Sequence, residues 1–217
     1  MLDAFTWYKQ AALKWKGTGL TVHIDPWGVP DGEEKADVLL ITHAHFDHFS
    51  QEDIDRVTKD GTIIIAPHDV ASDCLAPTGD IRPIKPGETI EAAGLQVHAV
   101  PAYNVRPERL EMHPRDNNWV GFVLDLGGVM TYLAGDTDHI PEMADIKTDV
   151  AFLPAGGTYT MDLEEAVGAT KDINPKIAVP YHFGFVVGSR SIGDEFVNAI
   201  KPIDGKVLTP INPFEQP

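Results

Sequence analysis

Three histidines and one aspartate stand within six residues of the chain, as His43-Ala44-His45-Phe46-Asp47-His48. They follow residues 36–41, a run rich in branched apolar residues that predicts a buried strand. Imidazole nitrogens and carboxylate oxygens are the ligands that Zn²⁺, Mn²⁺ and Fe²⁺ accept. Ordinary core packing needs no such density of imidazoles, so we interpret the stretch as a metal-binding loop. A polar loop with a chance cluster of histidines is the alternative.

Two more side chains of the same kind follow predicted strands further along the chain. Asp136 comes after a predicted hairpin at residues 119–133, and His182 comes after a predicted strand at residues 177–180. Ligands and catalytic groups collect at strand ends in α/β proteins. We therefore expect both side chains to join the histidine cluster.

The sequence offers two candidates for one further histidine ligand, His98 and His113. His98 lies within a regular alternating strand, so the pleat fixes the direction of its side chain. His113 lies in the polar, irregular segment 103–118, and a long loop inside a compact domain is often functional. We favour His113, because a loop can bend toward a metal, and leave His98 a structural or supporting role.

The order His-x-His-x-Asp-His, lone His, lone Asp and lone His resembles the signature of the metallo-β-lactamase superfamily. Within it, the chain is most similar to small hydrolases related to ascorbate-6-phosphate lactonase. The stretches that carry this likeness are Ile24-Asp25-Pro26, Ala134-Gly135-Asp136-Thr137, residues 156–161 and residues 180–184. The resemblance implies an α/β fold, the four-layer αββα sandwich, with the site at one edge of the paired sheets. We expect residues 1–217 to form one such domain.

The resemblance also implies a ligand set for two divalent ions, with zinc or manganese favoured and iron as the alternative. His43, His45 and His113 would hold one ion. Asp47, His48 and His182 would hold the second, and Asp136 would bridge both. A bridging carboxylate is physically reasonable, because two dications ~3.5–4 Å apart repel each other strongly.

The chemistry expected of such a centre is hydrolysis. A pair of cations lowers the pKa of a shared water toward ~7, so that hydroxide can attack a small ester, lactone or phosphodiester. By analogy with the family, Asp47 and Asp136 are the catalytic carboxylates. Candidate substrate contacts are Thr158, Tyr159 and Tyr181, which could equally be packing residues, and Arg190, which could equally be a solvated side chain.

Three other functions are compatible with the same residues. A mono- or di-iron redox enzyme would use the same scaffold, although the nitrogen-rich ligand set suits hydrolysis better. A phosphodiesterase or nuclease would need an insertion that grips RNA, for which this length leaves no room. A metal-stabilised binding module would not turn over a substrate at all.

Composition and charge indicate which binding partners and which cellular setting to expect. The formal charge is −16, from 33 acidic and 17 basic residues, which disfavours nucleic acid and leaves a small-molecule substrate. No apolar run approaches the ~18–20 residues of a membrane span, and the N-terminus does not resemble a signal peptide. Cys74 is the only cysteine, so we expect no intrachain disulfide and a cytoplasmic setting. The sequence leaves open whether the chain forms a homo-oligomer.

Local patterns predict the elements that hold these residues. A hairpin is expected from residues 12–16 and 20–24, with a turn at Gly17-Thr18-Gly19. Helices are expected after Ser50, from His68, after the capping pair Asp162 and Glu165, and after Ser191 with Asp194. Residues 207–209 are expected to close a sheet edge. His23 and His139 are interpreted as a structural residue and a surface or supporting residue, and His68 as a polar residue at a helix start.

Overall fold

The computed structural model describes residues 1–17, 19–75 and 79–217, and within them the chain builds two β-sheets. The first sheet has the spatial order β1 (Phe5–Lys9), β2 (Ala12–Gly17), β3 (Leu20–Ile24), β4 (Val38–Leu40), β5 (Ile63–Ala66) and β6 (Asp80–Pro83). The second has the order β13 (Asp204–Gly205), β12 (Ile177–Tyr181), β11 (Val150–Pro154), β10 (Met130–Leu133), β9 (Val120–Asp125), β8 (Leu95–Pro101) and β7 (Thr89–Ala92). The helices are α1 (Gln51–Val57), α2 (His68–Asp73), α3 (Leu163–Ile173) and α4 (Ile192–Ala199), with 3₁₀ turns at Leu2–Ala4, Pro107–Arg109, Arg115–Asn117 and Pro141–Asp145.

Three apolar cores separate four layers. The central core lies between the sheets and joins side chains such as Trp15 of β2 and Phe122 of β9. A second core packs α3 and α4 against the outer face of the second sheet, and a third packs α1 and α2 against the first sheet. Helix, sheet, sheet and helix therefore follow one another, which confirms the expected αββα sandwich.

Parallel strands bring the functional loops to one edge. Strands β3, β4, β5 and β6 run parallel to one another, and so do β10, β11, β12 and β13. Strand β4 is buried at every position, as a parallel strand covered on both faces must be. The loops that follow β4, β10 and β12 carry every candidate ligand of the sequence except His113, which lies in the loop after β8, and they meet at the same edge of the sandwich.

Capping explains where two of the helices begin. The Ser50 hydroxyl accepts a hydrogen bond from the Asp53 backbone N–H and starts α1. Asp162 and Glu165 form the predicted capping box at the start of α3, each side chain accepting from the backbone of the other. The last helix begins after Ser191 as predicted, but this side chain makes no capping hydrogen bond.

Two edges of the sheets differ from expectation. The prediction of a strand at residues 207–209 was wrong: Asp204–Gly205 pairs with β12 instead, and its two residues offer almost no pattern to read. Strand β1 was missed; it pairs antiparallel with β2 and extends the predicted hairpin by one strand. Of the predicted turn between β2 and β3, Thr18 lies outside the described residues.

His23 is a buried structural residue of β3. Its ring stacks on Tyr8 with centroids 6.0 Å apart, and its Nε2 lies 2.9 Å from the Glu34 carbonyl oxygen. Burial lowers the pKa of His23 to about 4, so the folded protein holds this imidazole neutral.

Stability should therefore fall as the pH drops from ~6.5 toward 4, because the unfolded chain binds a proton at His23 that the folded chain refuses. The lowered pKa corresponds to a loss of up to ~3 kcal/mol. Denaturant unfolding at pH 7 and pH 4.5 should show a smaller loss in His23→Gln than in the wild type. Equal losses in the two proteins would contradict this assignment.

Candidate metal centre

The loop after β4 turns sharply and presents its polar side chains together. The backbone N–H groups of His48 and Phe49 both donate to the His45 carbonyl, at 3.0 and 2.8 Å. This compact turn follows directly from the buried strand, so the strand fixes where the side chains start. His43 and His48 are almost fully buried, whereas His45 is partly exposed at the mouth.

One group of possible ligands consists of His43, His45, His113 and Asp136, whose ligand atoms all lie within 4.8 Å of one another. The His43 Nε2 is 3.1 Å from the His45 Nδ1. The His113 Nε2 is 3.3 Å from the Asp136 Oδ2. These four residues come from three separate stretches of the chain, and the fold brings them into one pocket.

A second group consists of Asp47, His48 and His182. The Asp47 Oδ2 is 3.8 Å from the His48 Nε2 and 3.6 Å from the His182 Nε2. Asp136 lies between the two groups: its Oδ1 is 3.3 Å from the His48 Nε2, and its Oδ2 is 3.0 Å from the His182 Nε2. Because the His113 Nε2 of the first group is also 3.3 Å from the Asp136 Oδ2, the carboxylate faces histidines of both groups.

The structure gathers all seven of the predicted ligands and leaves the other histidines elsewhere. His98 projects from β8 with its Nδ1 3.0 Å from the Thr89 hydroxyl, away from the cluster. His68 is exposed at the start of α2. His139 pairs with Asp172 of α3 at 2.8 Å. Of the two candidates for the third histidine, His113 is the one that reaches the site.

Asp25 belongs to a stretch that carries the family likeness, but the sequence analysis gave it no role at the site; in the structure it contacts the cluster from the side away from the other ligands. Its Oδ2 lies 2.8 Å from the His48 Nδ1, so the Nε2 of that ring faces the other ligands. Asp25 also accepts from the Thr42 backbone N–H and hydroxyl, and that hydroxyl lies 2.9 Å from the His43 Nδ1. In the sequence, the feature that could have identified Asp25 is the Asp-Pro pair that directly follows β3, the strand beside β4 in the sheet.

Gln10 was also missed, and it reaches the second group of ligands. It is fully buried in the turn between β1 and β2, where its φ is +48°. Its Nε2 lies 3.1 Å from the Asp47 Oδ2 and 2.9 Å from the His182 Nε2. The backbone carbonyl oxygen of Gln10 accepts a hydrogen bond from the His182 backbone N–H at 3.0 Å. A glutamine in a hairpin turn gives no sequence signal for such a role.

The loop that carries His113 is fastened by hydrogen bonds to its neighbours. The Asn104 side-chain amide lies 3.1 Å from the His113 Nδ1 and donates to the Tyr159 carbonyl at 2.8 Å. The buried Asp138 carboxylate accepts from two backbone N–H groups of the loop and pairs with Arg109. A long loop can therefore hold a ligand at a fixed place.

Two glycines allow the backbone to approach closely at the site. Gly135 precedes Asp136 with φ +67°, and a Cβ there would lie 2.9 Å from the Val120 carbonyl oxygen. A Cβ on Gly156 would lie 2.2 Å from the His182 carbonyl oxygen, which no side chain permits. Both positions need glycine for space, and Gly135 needs it for its backbone conformation as well.

His43, Asp47 and Asp136 have the charge states that bind cations. At His48 and His182, by contrast, the neighbouring carboxylates outweigh burial and raise the pKa values, so a bound cation would have to deprotonate these two rings. Burial lowers the pKa of His43 well below its usual value, so the ring is neutral and its lone pair can bind a metal. Burial opposes ionisation of Asp47, but His48 and His182 outweigh it and lower the pKa of Asp47 to about 2. Burial likewise opposes ionisation of Asp136, but the neighbouring histidines hold its pKa well below its usual value.

Several buried polar atoms at the centre have no hydrogen-bond partner among the described residues. They include the Nε2 atoms of His48 and His113 and the Oδ1 of Asp136, which lie 3.3 Å from an oppositely charged group but not in the geometry of a hydrogen bond. An unpartnered buried polar atom is destabilising unless something satisfies it. All three atoms face the space between the ligand groups, so divalent ions fit the residues that are present.

A cavity of about 270 Å³ opens above the cluster. It is lined by His45, Phe46, Asp47, Met112, Asp136, Tyr159, His182 and Val186. Of the four predicted substrate contacts, only Tyr159 lines it. Thr158 lines a neighbouring cavity, the buried Tyr181 hydroxyl donates to the Gly135 carbonyl, and Arg190 is exposed and does not line this cavity.

An αββα sandwich with neighbouring groups of histidine and aspartate at its strand ends defines the class of metal-binding proteins with the metallo-β-lactamase fold. The chain belongs to the β-lactamase superfamily domain family, whose match extends over residues 4–182. Within the described residues, no helix has both the length and the apolar character needed to cross a bilayer.

Known relatives agree with this class. A UPF0173 metal-dependent hydrolase of Thermoplasma acidophilum is 37% identical over 161 residues, which are 70% of this chain and 67% of the relative. The crystal structure of a Parabacteroides distasonis protein is similar to this chain, with a TM-score of 0.84 at 36% identity over 94% of this chain and 91% of the other. Igni18, a metallo hydrolase from Ignicoccus hospitalis, has a TM-score of 0.77 at 27% identity, covering 95% and 94%.

The protein is therefore an enzyme, a metal-dependent hydrolase of the metallo-β-lactamase superfamily. Its His and Asp residues are arranged to bind metal. The narrower resemblance to ascorbate-6-phosphate lactonase is not tested by these matches and stays a prediction.

Replacing Gln10 by Ala should weaken metal binding at the second group, because the Asp47 carboxylate loses the amide that holds its Oδ2. Residues that support metal ligands typically contribute 10–100-fold to affinity, so a change of about that size is expected. Calorimetric titration with Zn²⁺ and with Mn²⁺ measures it.

Gln96→Ala is the matched control, because Gln96 is exposed on β8, away from the cluster. If both variants bind metal as tightly as the wild type, Gln10 has no part in the centre.

Proposed function

We propose that the protein hydrolyses a small ester, lactone or phosphodiester with a pair of divalent ions held by the seven clustered residues. The observation that supports two ions is the position of Asp136. Its carboxylate oxygens lie 3.3, 3.3 and 3.0 Å from nitrogens of His48, His113 and His182. One carboxylate between two groups of ligands is the arrangement that a bridging residue needs.

His43, His45 and His113 would hold one ion, and Asp47, His48 and His182 the other, with Asp136 shared. When bound, two divalent ions supply a water that ionises near neutral pH and a Lewis acid for the substrate oxygen. Zinc and manganese both accept this donor set, and iron does as well. Elemental analysis of the purified protein will identify the native metal.

The protein's own residues orient the reaction. Asp47 is both a member of the second group and part of the cavity lining, so it can orient the attacking water and accept its proton. Asp25 keeps the His48 ring in one orientation. The partly exposed His45 stands where the cavity meets the ligand cluster.

We further propose that residues 1–217 act as one domain and that the substrate is a small molecule. The central core joins strands from both halves of the chain, which supports a single unit. The cavity lies near the lower end of the ~300–1,000 Å³ range typical of small-molecule sites. The formal charge of −16 opposes a nucleic-acid substrate.

Single substitutions should show which residues of the cluster bind metal and which do not. We expect the wild type to bind two metal ions per chain and to lose activity on treatment with a chelator. His48→Ala and His113→Ala should each lower the metal content and reduce kcat/KM by more than ~100-fold, since even residues behind the ligands contribute 10–100-fold.

His98→Ala is the matched control, because this histidine lies on β8 outside the cluster. It should keep both the metal content and the activity of the wild type. If His98→Ala loses a metal ion and His113→Ala does not, the assignment of the third histidine is reversed. If His48→Ala hydrolyses as fast as the wild type, the second ion has no role.

A further inference from the structure

The cavity above the cluster has a wall that is mostly apolar. Phe46 is 65% exposed beside the cavity, and Val186 is 36% exposed. Met112 and Tyr159, both partly buried, complete this part of the lining. Together these four side chains give the cavity the mostly apolar lining that is typical of small-molecule sites.

The same cavity lacks a group that would bind an anion away from the metals. Among the described residues that line it, none is Lys or Arg. Its histidines and its two carboxylates, Asp47 and Asp136, all belong to the proposed ligand set. Away from the metal ions, a phosphate on the tail of the substrate would therefore lie against the apolar wall with no cationic side chain to pair with, which is unfavourable for a charged group.

Two arginines near the His113 loop are already paired with carboxylates. The buried Arg109 guanidinium bonds Asp138 and Glu165. Arg106 bonds the same Glu165 at 2.9 Å. Arg190 is exposed and does not line the cavity. None of these three side chains is placed to clamp a substrate phosphate in the cavity.

We propose that the substrate is an uncharged carboxylic ester or lactone with a short apolar chain, and that this chain carries no phosphate. This inference rests on the proposed function, which supplies the ions that act on the carbonyl. The apolar chain packs against Met112, Phe46 and Val186, while the scissile carbonyl faces the metal ligands. The cavity of about 270 Å³ limits the chain to a few carbons.

Hydroxamic acids test the chain preference without turnover, because every member carries the same metal-chelating head. Acetohydroxamate, butanohydroxamate and hexanohydroxamate are titrated into the metal-loaded protein by calorimetry. Each methylene that enters an apolar wall is worth ~0.8 kcal/mol, which is about fourfold in affinity. We expect about that gain per carbon until the cavity is full. A hydroxamate whose tail ends in a phosphate should bind at least ~10-fold more weakly than the apolar tail of equal length.

Variants locate the effect in the wall. Met112→Ala should reduce the gain per methylene, measured on protein whose metal content has been checked. Met130→Ala is the matched control, since Met130 lies at the start of β10 and does not line this cavity. Met130→Ala should retain the full gain. Equal gains in the two variants would overturn the role of the wall.

Measurements of hydrolysis distinguish a failure of this inference from a failure of the proposed function. The metal-loaded wild type should hydrolyse p-nitrophenyl butanoate faster than p-nitrophenyl acetate, and both faster than bis-p-nitrophenyl phosphate. If the phosphodiester is the best substrate, or if the phosphate-tailed hydroxamate binds most tightly, the inference is wrong and the proposed function stands. If the chain carries two metal ions but neither binds a hydroxamate nor hydrolyses any of these substrates, both are wrong.

Discussion

A buried carboxylate surrounded by imidazoles is the constraint on which the rest of the site depends. Asp136 is almost fully buried, and burying an isolated negative charge is strongly unfavourable. The fold offsets this by placing nitrogens of three histidines within 3.3 Å of its oxygens. A histidine cannot neutralise a carboxylate and stay a neutral ligand at the same time. Cations between the two groups satisfy both demands, which is why we assign the centre to metal ions.

Such a centre must be rigid before the metal arrives, because ligands that move have to be ordered on binding. The structure supplies this rigidity with hydrogen bonds from residues that do not belong to the ligand set. Asp25 holds His48, Asn104 holds His113, and Gln10 holds Asp47 and His182. Each of these three supports comes from a different part of the chain. The ligands are therefore fixed to the frame of the sandwich and not only to one another.

Local pattern in the sequence was enough to predict most of the residues that the fold brings together. The spacing within residues 43–48 and the apolar strand before it predicted the loop, and strand ends predicted Asp136 and His182. The choice of His113 over His98 followed from a physical argument about loops and pleats; in the structure His113 lies beside His43, His45 and Asp136, whereas His98 lies beside Thr89. The layers followed from the family resemblance.

What the sequence could not supply depends on contacts between distant residues. Gln10 and His182 are 172 positions apart, and nothing in either neighbourhood indicates that their side chains meet. The hydroxyl of Tyr181 faces the Gly135 carbonyl, not the cavity, because the strand pleat sets its direction. Arg190 followed a glycine-rich loop and was a reasonable anion clamp, but that loop directs it to the surface. Substrate contacts are the least predictable because they depend on the relative course of several loops.

The proposed metal ligands and the walls of the cavity are held in place by different parts of the structure. The ligands lie at the ends of strands or on a loop fastened by Asp138 and Arg109, so their positions are set by the core. The walls of the cavity come from the exposed or partly exposed side chains of Phe46, Met112 and Val186, whose replacement would leave the core intact. Chemistry that is fixed by buried hydrogen bonds can thus be combined with a binding surface that substitutions can alter. A metal centre of this kind sets the reaction, and the side chains at its mouth decide which molecules reach it.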